Sequence, residues 1–250
     1  GVCIVNGCPS FPEYWIFPMN NRSLRWSLVV VGVAGWFAPS PAAHADMTGN
    51  VYQDFASVQA LDGFGAPDFD GTVVDLWLEF DDANDVLLNV YNFNFDHAPG
   101  GYYQSFTGAT WLPNNLGPPF ETEALKYADS FVTIGGDGGA QINANGTGLD
   151  PNFGGTSAVV PGENAGWYNS NPASQLGAVV ATDHTSTGLG VFIGRFSVNG
   201  AWDGFSSGFG SATWNQGLGT EGLQGDFMMW PTPGPLALLG VAAFFRRRQR

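Results

Sequence analysis

The chain has 250 residues, of which 22 are Asp or Glu and only 8 are Lys or Arg, for a formal net charge of -14. That balance argues against nucleic-acid binding, which needs Lys and Arg to neutralise phosphates, and two cysteines cannot build a disulfide scaffold. With 20 Phe and 9 Trp the chain carries enough apolar bulk for a core, which excludes wholesale disorder.

Residues 1–18 precede the first methionine, contain both cysteines, Cys3 and Cys8, and read as a mis-assigned upstream extension. Residues 19–45 read as a secretory signal peptide, expected to fold as a signal helix. Arg22 and Arg25 charge its start, Trp26 to Ala38 form a 13-residue apolar run, and Ala43-His44-Ala45 is a small-x-small cleavage site for signal peptidase. The run is shorter than the roughly 20 residues that span a bilayer. Pro39 and Pro41 also stop a helix from continuing. The mature chain would then hold no cysteine.

Residues 46–231 read as one all-β domain. Val51–Gln59 is the first strand candidate. In Thr72–Phe80, Val74, Leu76, Leu78 and Phe80 alternate with Val73, Asp75, Trp77 and Glu79, the period of a strand. Asp81–Asp85 has turn chemistry. Val86–Phe95 follows as a strand with Leu87, Asn89, Tyr91, Phe93 and Phe95 on one face, so the two are expected to form a hairpin. Further strands are expected at 101–106, 130–134, 156–160, 177–181, 191–198, 210–214 and 222–230, with one short helix at 121–128. Gly-, Pro- and Asn-rich turns separate them, and no repeat or linker divides them. Many short strands with such turns predict a single β-sandwich, jelly-roll or Ig-like.

Residues 232–250 close the chain in three parts. Pro233-Gly234-Pro235 precedes an apolar stretch from Leu236 to Phe245, and Arg246, Arg247, Arg248 and Arg250 follow. The 11 residues from Pro235 to Phe245 are expected to form a short hydrophobic helix, too short for a comfortable span. The arginines would hold the cytoplasmic side, which makes the segment a transient membrane anchor with the body outside. This tail resembles the PEP-CTERM sorting signal, the bacterial tag recognised by exosortase-type membrane transpeptidases, with Gly234 where the usual motif has Glu. It is similar to tails of secreted proteins from planctomycete-type bacteria. The resemblance implies an exosortase-like partner and a destination at the cell surface or in the extracellular matrix. Within the body, Asp75-Leu-Trp-Leu-Glu-Phe, Leu87-Leu-Asn-Val, 130–136 and Gly166-Trp-Tyr-Asn resemble uncharacterised secreted proteins with the same tail. That similarity implies an extracellular β-sandwich and assigns no catalytic residue.

Between the two addressing ends lie 21 acidic residues and two basic ones, Lys126 and Arg195. Such a surface repels polyanions and favours cations. Asp81, Asp82 and Asp85 are candidate calcium ligands, with Asp68 and Asp70 as a second pair, although calcium takes six to eight oxygens and no EF-hand Glu follows. Calcium is the one cofactor considered. Gly204-Phe-Ser206-Ser-Gly208 matches a nucleophile-elbow pattern, but no His follows it in the chain. A Gly/Ser turn explains it. Asp96-His97 and Asp183-His184 are adjacent pairs; on a strand their side chains point to opposite faces, so neither is a ready dyad. Gly135–Gly139 reads as a turn, because no Lys follows to hold a phosphate. Trp111, Trp167, Tyr168, Trp202, Trp214 and Trp230 lie in or beside loops, where they either fill a core or stack on sugars. Trp167-Tyr168 is the best candidate glycan contact. The expectation is a secreted, non-enzymatic protein with a structural or adhesive role. The alternatives are an exopolysaccharide-binding module, or a secreted hydrolase built on facing carboxylates or a His–acid pair.

Overall fold

The computed structural model describes residues 47–95, 101–105, 110–113, 121–136, 146–202 and 207–229, all within the compact unit His44–Arg250. The upstream extension, the signal segment with Ala43 and Ala45, and the tail with Pro233, Gly234, Pro235, Arg246, Arg247 and Arg248 lie outside the described residues. So do His97, Asp137–Gly139, Gly204–Ser206 and Trp230.

The described chain is mostly β, with about half of its residues in strands and almost none in helix. These are β1 (Met47–Leu61), β2 (Pro67–Phe80), β3 (Val86–Phe95), β4 (Phe131–Val132), β5 (Thr147–Leu149), β6 (Ala165–Asn169), β7 (Val180–Ala181), β8 (Leu189–Asn199), β9 (Gly208–Asn215) and β10 (Leu223–Met229). Among the described residues the one α-helix, α1, spans Glu123–Ala128. The all-β expectation therefore holds. Rather than forming two separate sheets, all ten strands belong to one, in the order β4-β8-β2-β1-β10-β9-β3-β6-β5, with β7 on β8.

β2 explains the arrangement. Val74, Leu76, Leu78 and Phe80 are each 0% exposed on the inner face, as their alternation predicts. The other face is apolar too, because Val73 and Trp77 are also buried. Such a strand wants neighbours along both edges, and it has them: antiparallel β1 on one side and β8 on the other. No edge is left for β3, so the expected β2–β3 hairpin does not form. β3 crosses to the facing part of the sheet and pairs with β9 and β6. Its side chains meet the same core from the opposite side. Phe93 stacks on Phe196 of β8 at 5.9 Å, and Phe80 meets Trp214 of β9 edge-on at 6.2 Å. Each such buried ring or aliphatic side chain contributes ~1.5–3 kcal/mol.

The strict alternation expected of β3 also breaks. Its register shifts between Leu87 and Asn89 and again between Tyr91 and Asn94, with Asn92 at φ 51°. Leu87, Val90 and Phe93 reach the core, while Asn89 and Tyr91 stay half-buried.

The sheet curls until its two ends nearly meet in a barrel. The segment 177–181 bridges them, pairing Ala178 with Val86 of β3 and Val180 with Gly190 of β8. Leu87 N donates to Gly177 O at 2.8 Å, and Val179 N to Asp85 O at 3.0 Å. Gly177 permits this approach, since a Cβ there would collide with the Leu87 carbonyl oxygen. Beside it, Trp167 Nε1 donates to Thr133 O at 2.9 Å and Ile134 N to Thr147 Oγ1 at 3.2 Å.

Two expected strands are irregular. Residues 101–105 are tied to β8 by Tyr103 N donating to Ser197 O at 2.8 Å. Residues 156–160 turn, following Gly154 and Gly155, both at φ 90°. The expected helix is shorter, because Thr122 caps it: its Oγ1 accepts from Leu125 N at 3.0 Å. α1 lays Ala124 and Ala128 against Ala60, Phe69 and Val73 on the outer face of β1 and β2.

Candidate functional site

Among the described residues, the outer face of β1, β2 and β8 carries a buried ion pair. Asp54, Asp75 and Arg195 are direct cross-strand neighbours on those three strands. Asp75 takes the guanidinium with both oxygens, at 2.7 Å from Nε and 2.8 Å from Nη2. Two charges this deep need each other, since an unpaired buried ion is far costlier than a paired one. Burial raises the Asp75 carboxyl, opposed by the Arg195 hydrogen bonds and charge. Arg195 also lies over the Phe131 ring at 5.8 Å.

Two further carboxylates are buried nearby. Asp129, just past α1, accepts from Ser105 N at 2.6 Å. Burial pushes it up to about 7, against the pull of that N–H and of Arg195. Glu79 on β2 is treated differently. Burial would raise it too, but Ser186 Oγ (2.6 Å), Thr48 Oγ1 (2.6 Å), Asn50 Nδ2 (3.1 Å) and Thr187 N (2.9 Å) all donate to it. Together they hold its carboxyl at about 2.

Ser186 and Thr187 belong to the loop 182–188 between β7 and β8, so Glu79 pins that loop over the sheet. His184 in the same loop stacks on Trp77, with centroids 4.8 Å apart and 16° between planes. Its Nδ1 lies 3.1 Å from Asp54 Oδ2, and its Nε2 lies 3.7 Å from Asp183 Oδ1. This corrects the reading of Asp183-His184 as a strand pair with opposed faces. The two residues sit in a loop and lie on one side, and the closer acid is Asp54, on another strand. The result is a carboxylate–imidazole pair of the kind a hydrolase would need. Among the described residues, its ring nitrogens meet carboxylates and no hydroxyl or thiol nucleophile. The arrangement fixes the loop on the sheet, and the hydroxyl of Ser186 in the same loop is spent on Glu79 rather than on the imidazole.

The expected calcium ligands do not converge. Asp81 is exposed and Asp85 is buried. Asp82 caps its own turn, accepting from Asn84 N at 2.8 Å and from Gln216 Nε2 at 3.2 Å. Asp68 accepts from Tyr103 Oη at 2.8 Å and Asp70 from Gln59 Nε2 at 3.2 Å. Among the described residues, no group of three or more His, Cys, Asp or Glu side chains stands close enough to hold a metal.

The aromatic candidates mostly serve the core. Trp111, Trp167 and Trp214 are buried. The indole of Trp111 donates to Ala158 O at 2.6 Å, and Trp202 stacks on Phe95 at 5.8 Å. Trp167 is therefore no glycan contact. Its neighbour Tyr168 is 42% exposed, and its ring lies over Gly148 of β5, where a Cβ would strike it.

Sequence reasoning missed Asp54, Asp75, Glu79 and Asp129. One signal was available: Arg195 interrupts an apolar run, Val191–Val198, and a lone Arg there demands a buried acid. Among the described residues, no helix is long and apolar enough to cross a membrane. No protein family, curated protein or solved structure matches the chain.

Proposed function

We propose that the chain is an exported bacterial protein of the cell surface or extracellular matrix, with a structural or adhesive role and no catalytic activity of its own. The observation that carries this reading is the pair of addressing ends, a signal-peptide pattern closing at Ala43-His44-Ala45 and a tail of Pro233-Gly234-Pro235, apolar stretch and arginines. In this reading an exosortase-like transpeptidase acts on the tail after signal peptidase has acted on the start. The acidic, strand-built body suits it, since its carboxylates and rings are largely occupied in holding the sheet together. We read the curled sheet, with β2 and β8 facing β3 and β9, as a flattened, sandwich-like architecture of jelly-roll type.

Mass spectrometry of the secreted protein tests the tail. The expected C-terminus falls near Gly234 or Pro235, and an intact Arg250 in secreted material overturns processing. Fractionation of cells expressing the chain with and without residues 232–250 should move the protein between surface and medium.

Exopolysaccharide binding is the second reading, favoured by the exposed ring of Tyr168. A Tyr168→Ala variant that retains all binding on a glycan array removes it.

A further inference from the structure

We infer that a diagonal stripe of three rings on the outer face of β6, β3 and β9 binds a neutral polysaccharide, a site that rests on the reading of Tyr168 as a glycan contact and deepens it. Tyr168 of β6 lies beside Asn89 of β3. Tyr91, two residues further along β3, lies beside Ser211 of β9. Phe209, two residues back along β9, completes the stripe beside Asn94. Trp167 and Val90 belong to the core, so alternation turns Tyr168 and Tyr91 outward. Phe209 is outward too, because a Cβ at its neighbour Gly210 would strike the buried Phe227 ring. Diagonal neighbours on adjacent strands stand about 7–8 Å apart, so one extended chain can meet all three rings.

The two outer faces of the sheet differ in what they leave bare. Over β1 and β2, α1 covers Ala60, Phe69 and Val73, and the loop 182–188 is tied down on Glu79. On the stripe, Tyr168 is 42% exposed and Phe209 54%, while Tyr91 is half-buried. The Tyr168 ring is also held flat. A Cβ at Gly148 would meet it at 2.7 Å, so one ring face rests on the β5 backbone and the other is free for a ligand.

A sugar ring stacks its C–H face on such a platform and turns its hydroxyls to the polar groups alongside. Those groups are present. Asn89 stands between Tyr168 and Thr213 in one cross-strand row, and its Oδ1 has no hydrogen-bond partner among the described residues. An unspent amide beside a bare ring suits a hydroxyl-rich ligand better than an apolar protein surface. Charge then selects the sugar. The basic residues between the two addressing ends are Lys126 and Arg195. Lys126 lies on α1 and Arg195 is held by Asp75, both on the other outer face. The stripe therefore has no cation among the described residues to hold a uronate or a sulfate, and the acidic body repels both.

The test uses the full-length protein in affinity electrophoresis. Dextran, laminarin, galactomannan and hydroxyethyl cellulose are the neutral polymers, and alginate and carboxymethyl cellulose the acidic ones. The expected result is retardation by at least one neutral polymer and by neither acidic one. Tyr168→Ala and Phe209→Ala should each weaken binding about three- to tenfold, the scale of one ring stack. Both rings are exposed, so Tm should not change. Phe209→Tyr keeps a ring and should bind as the parent does. Full binding by Phe209→Ala with weakened binding by Tyr168→Ala would leave Tyr168 a glycan contact and overturn the stripe. Retardation by an acidic polymer would keep polysaccharide binding and overturn the neutral class. Retardation by no polymer, or full binding by Tyr168→Ala, would remove the Tyr168 contact and the stripe together.

Discussion

Glu79 and Asp129 are both buried on the outer side of the sheet, 1% and 2% exposed, yet their carboxyls lie at opposite extremes. Four donors converge on Glu79 and hold it at about 2. Asp129 is held up at about 7, with the Ser105 N–H and the Arg195 charge too little to offset burial. Depth alone does not decide whether a buried acid is charged. The number of donors aimed at it does. The donors of Glu79 come from β1 and from the loop 182–188, so its charge is also what ties that loop down.

The largest test of this contrast removes a charge that no donor set replaces. Arg195→Met should leave Asp75 buried beside no cation and cost about 3–5 kcal/mol, seen as a lower midpoint in urea at neutral pH. Next, Glu79→Gln turns an amide N–H₂ toward two of the four donors. A loss of about 2–3 kcal/mol is expected, together with faster hydrogen exchange at Thr187.

The pH dependence separates the two acids by sign. The folded pKa of Glu79 lies below its ordinary 4.5, so its contribution is complete above that value and disappears as pH falls towards 2. Asp129 runs the other way. Its folded pKa lies above the ordinary 3.8, so the folded protein holds a proton that the unfolded chain has released. Stability from this group is present below about 4 and is lost as pH rises through about 7. Asp129→Asn should remove the second slope and leave the first. A melt series from pH 4 to 8 in which the variant and parent keep the same slope would sink the assignment. The smallest effect is expected at His184. Its contact with Asp54 is partly exposed and weak, so His184→Ala should cost about 1 kcal/mol, mostly from the lost stack on Trp77. Near-ultraviolet circular dichroism would register the altered indole.

The same contrast explains what could be read from sequence. Local alternation located the span of β3 and the inner face and end of β2, because which face a side chain takes depends on its near neighbours; it missed that β2 starts at Pro67 rather than Thr72 and that the register of β3 shifts twice. It did not foretell that β2 and β3 lie apart. Pairing depends on which strand has a free edge, and β2 had already used both of its own. The cluster of Asp54, Asp75, His184 and Arg195 was illegible for that reason, being drawn from positions far apart in the chain. Trp167 looked accessible from its Gly and Asn neighbours, yet its indole found a carbonyl at Thr133 and the ring went inward. β5 and β6 escaped notice because Gly148 and Gly166 break their apolar pattern. Those glycines are needed: a Cβ at Gly148 would strike the Tyr168 ring, and one at Gly166 would crowd the Asp150 carboxylate.

The parallel pairing of β1 with β10 has a mechanical meaning. The first and last strands of the described domain run side by side and parallel, with Asn50 beside Met228 and Val51 beside Met229. A pull that drags the start of β1 one way and the end of β10 the other loads that seam in shear, so its pairs carry the force together instead of unzipping in turn. The long β1–β2 ladder lies beyond it. A domain held at the start of β1 and tugged at the end of β10 would therefore resist through this parallel seam before the long β1–β2 ladder takes up the load.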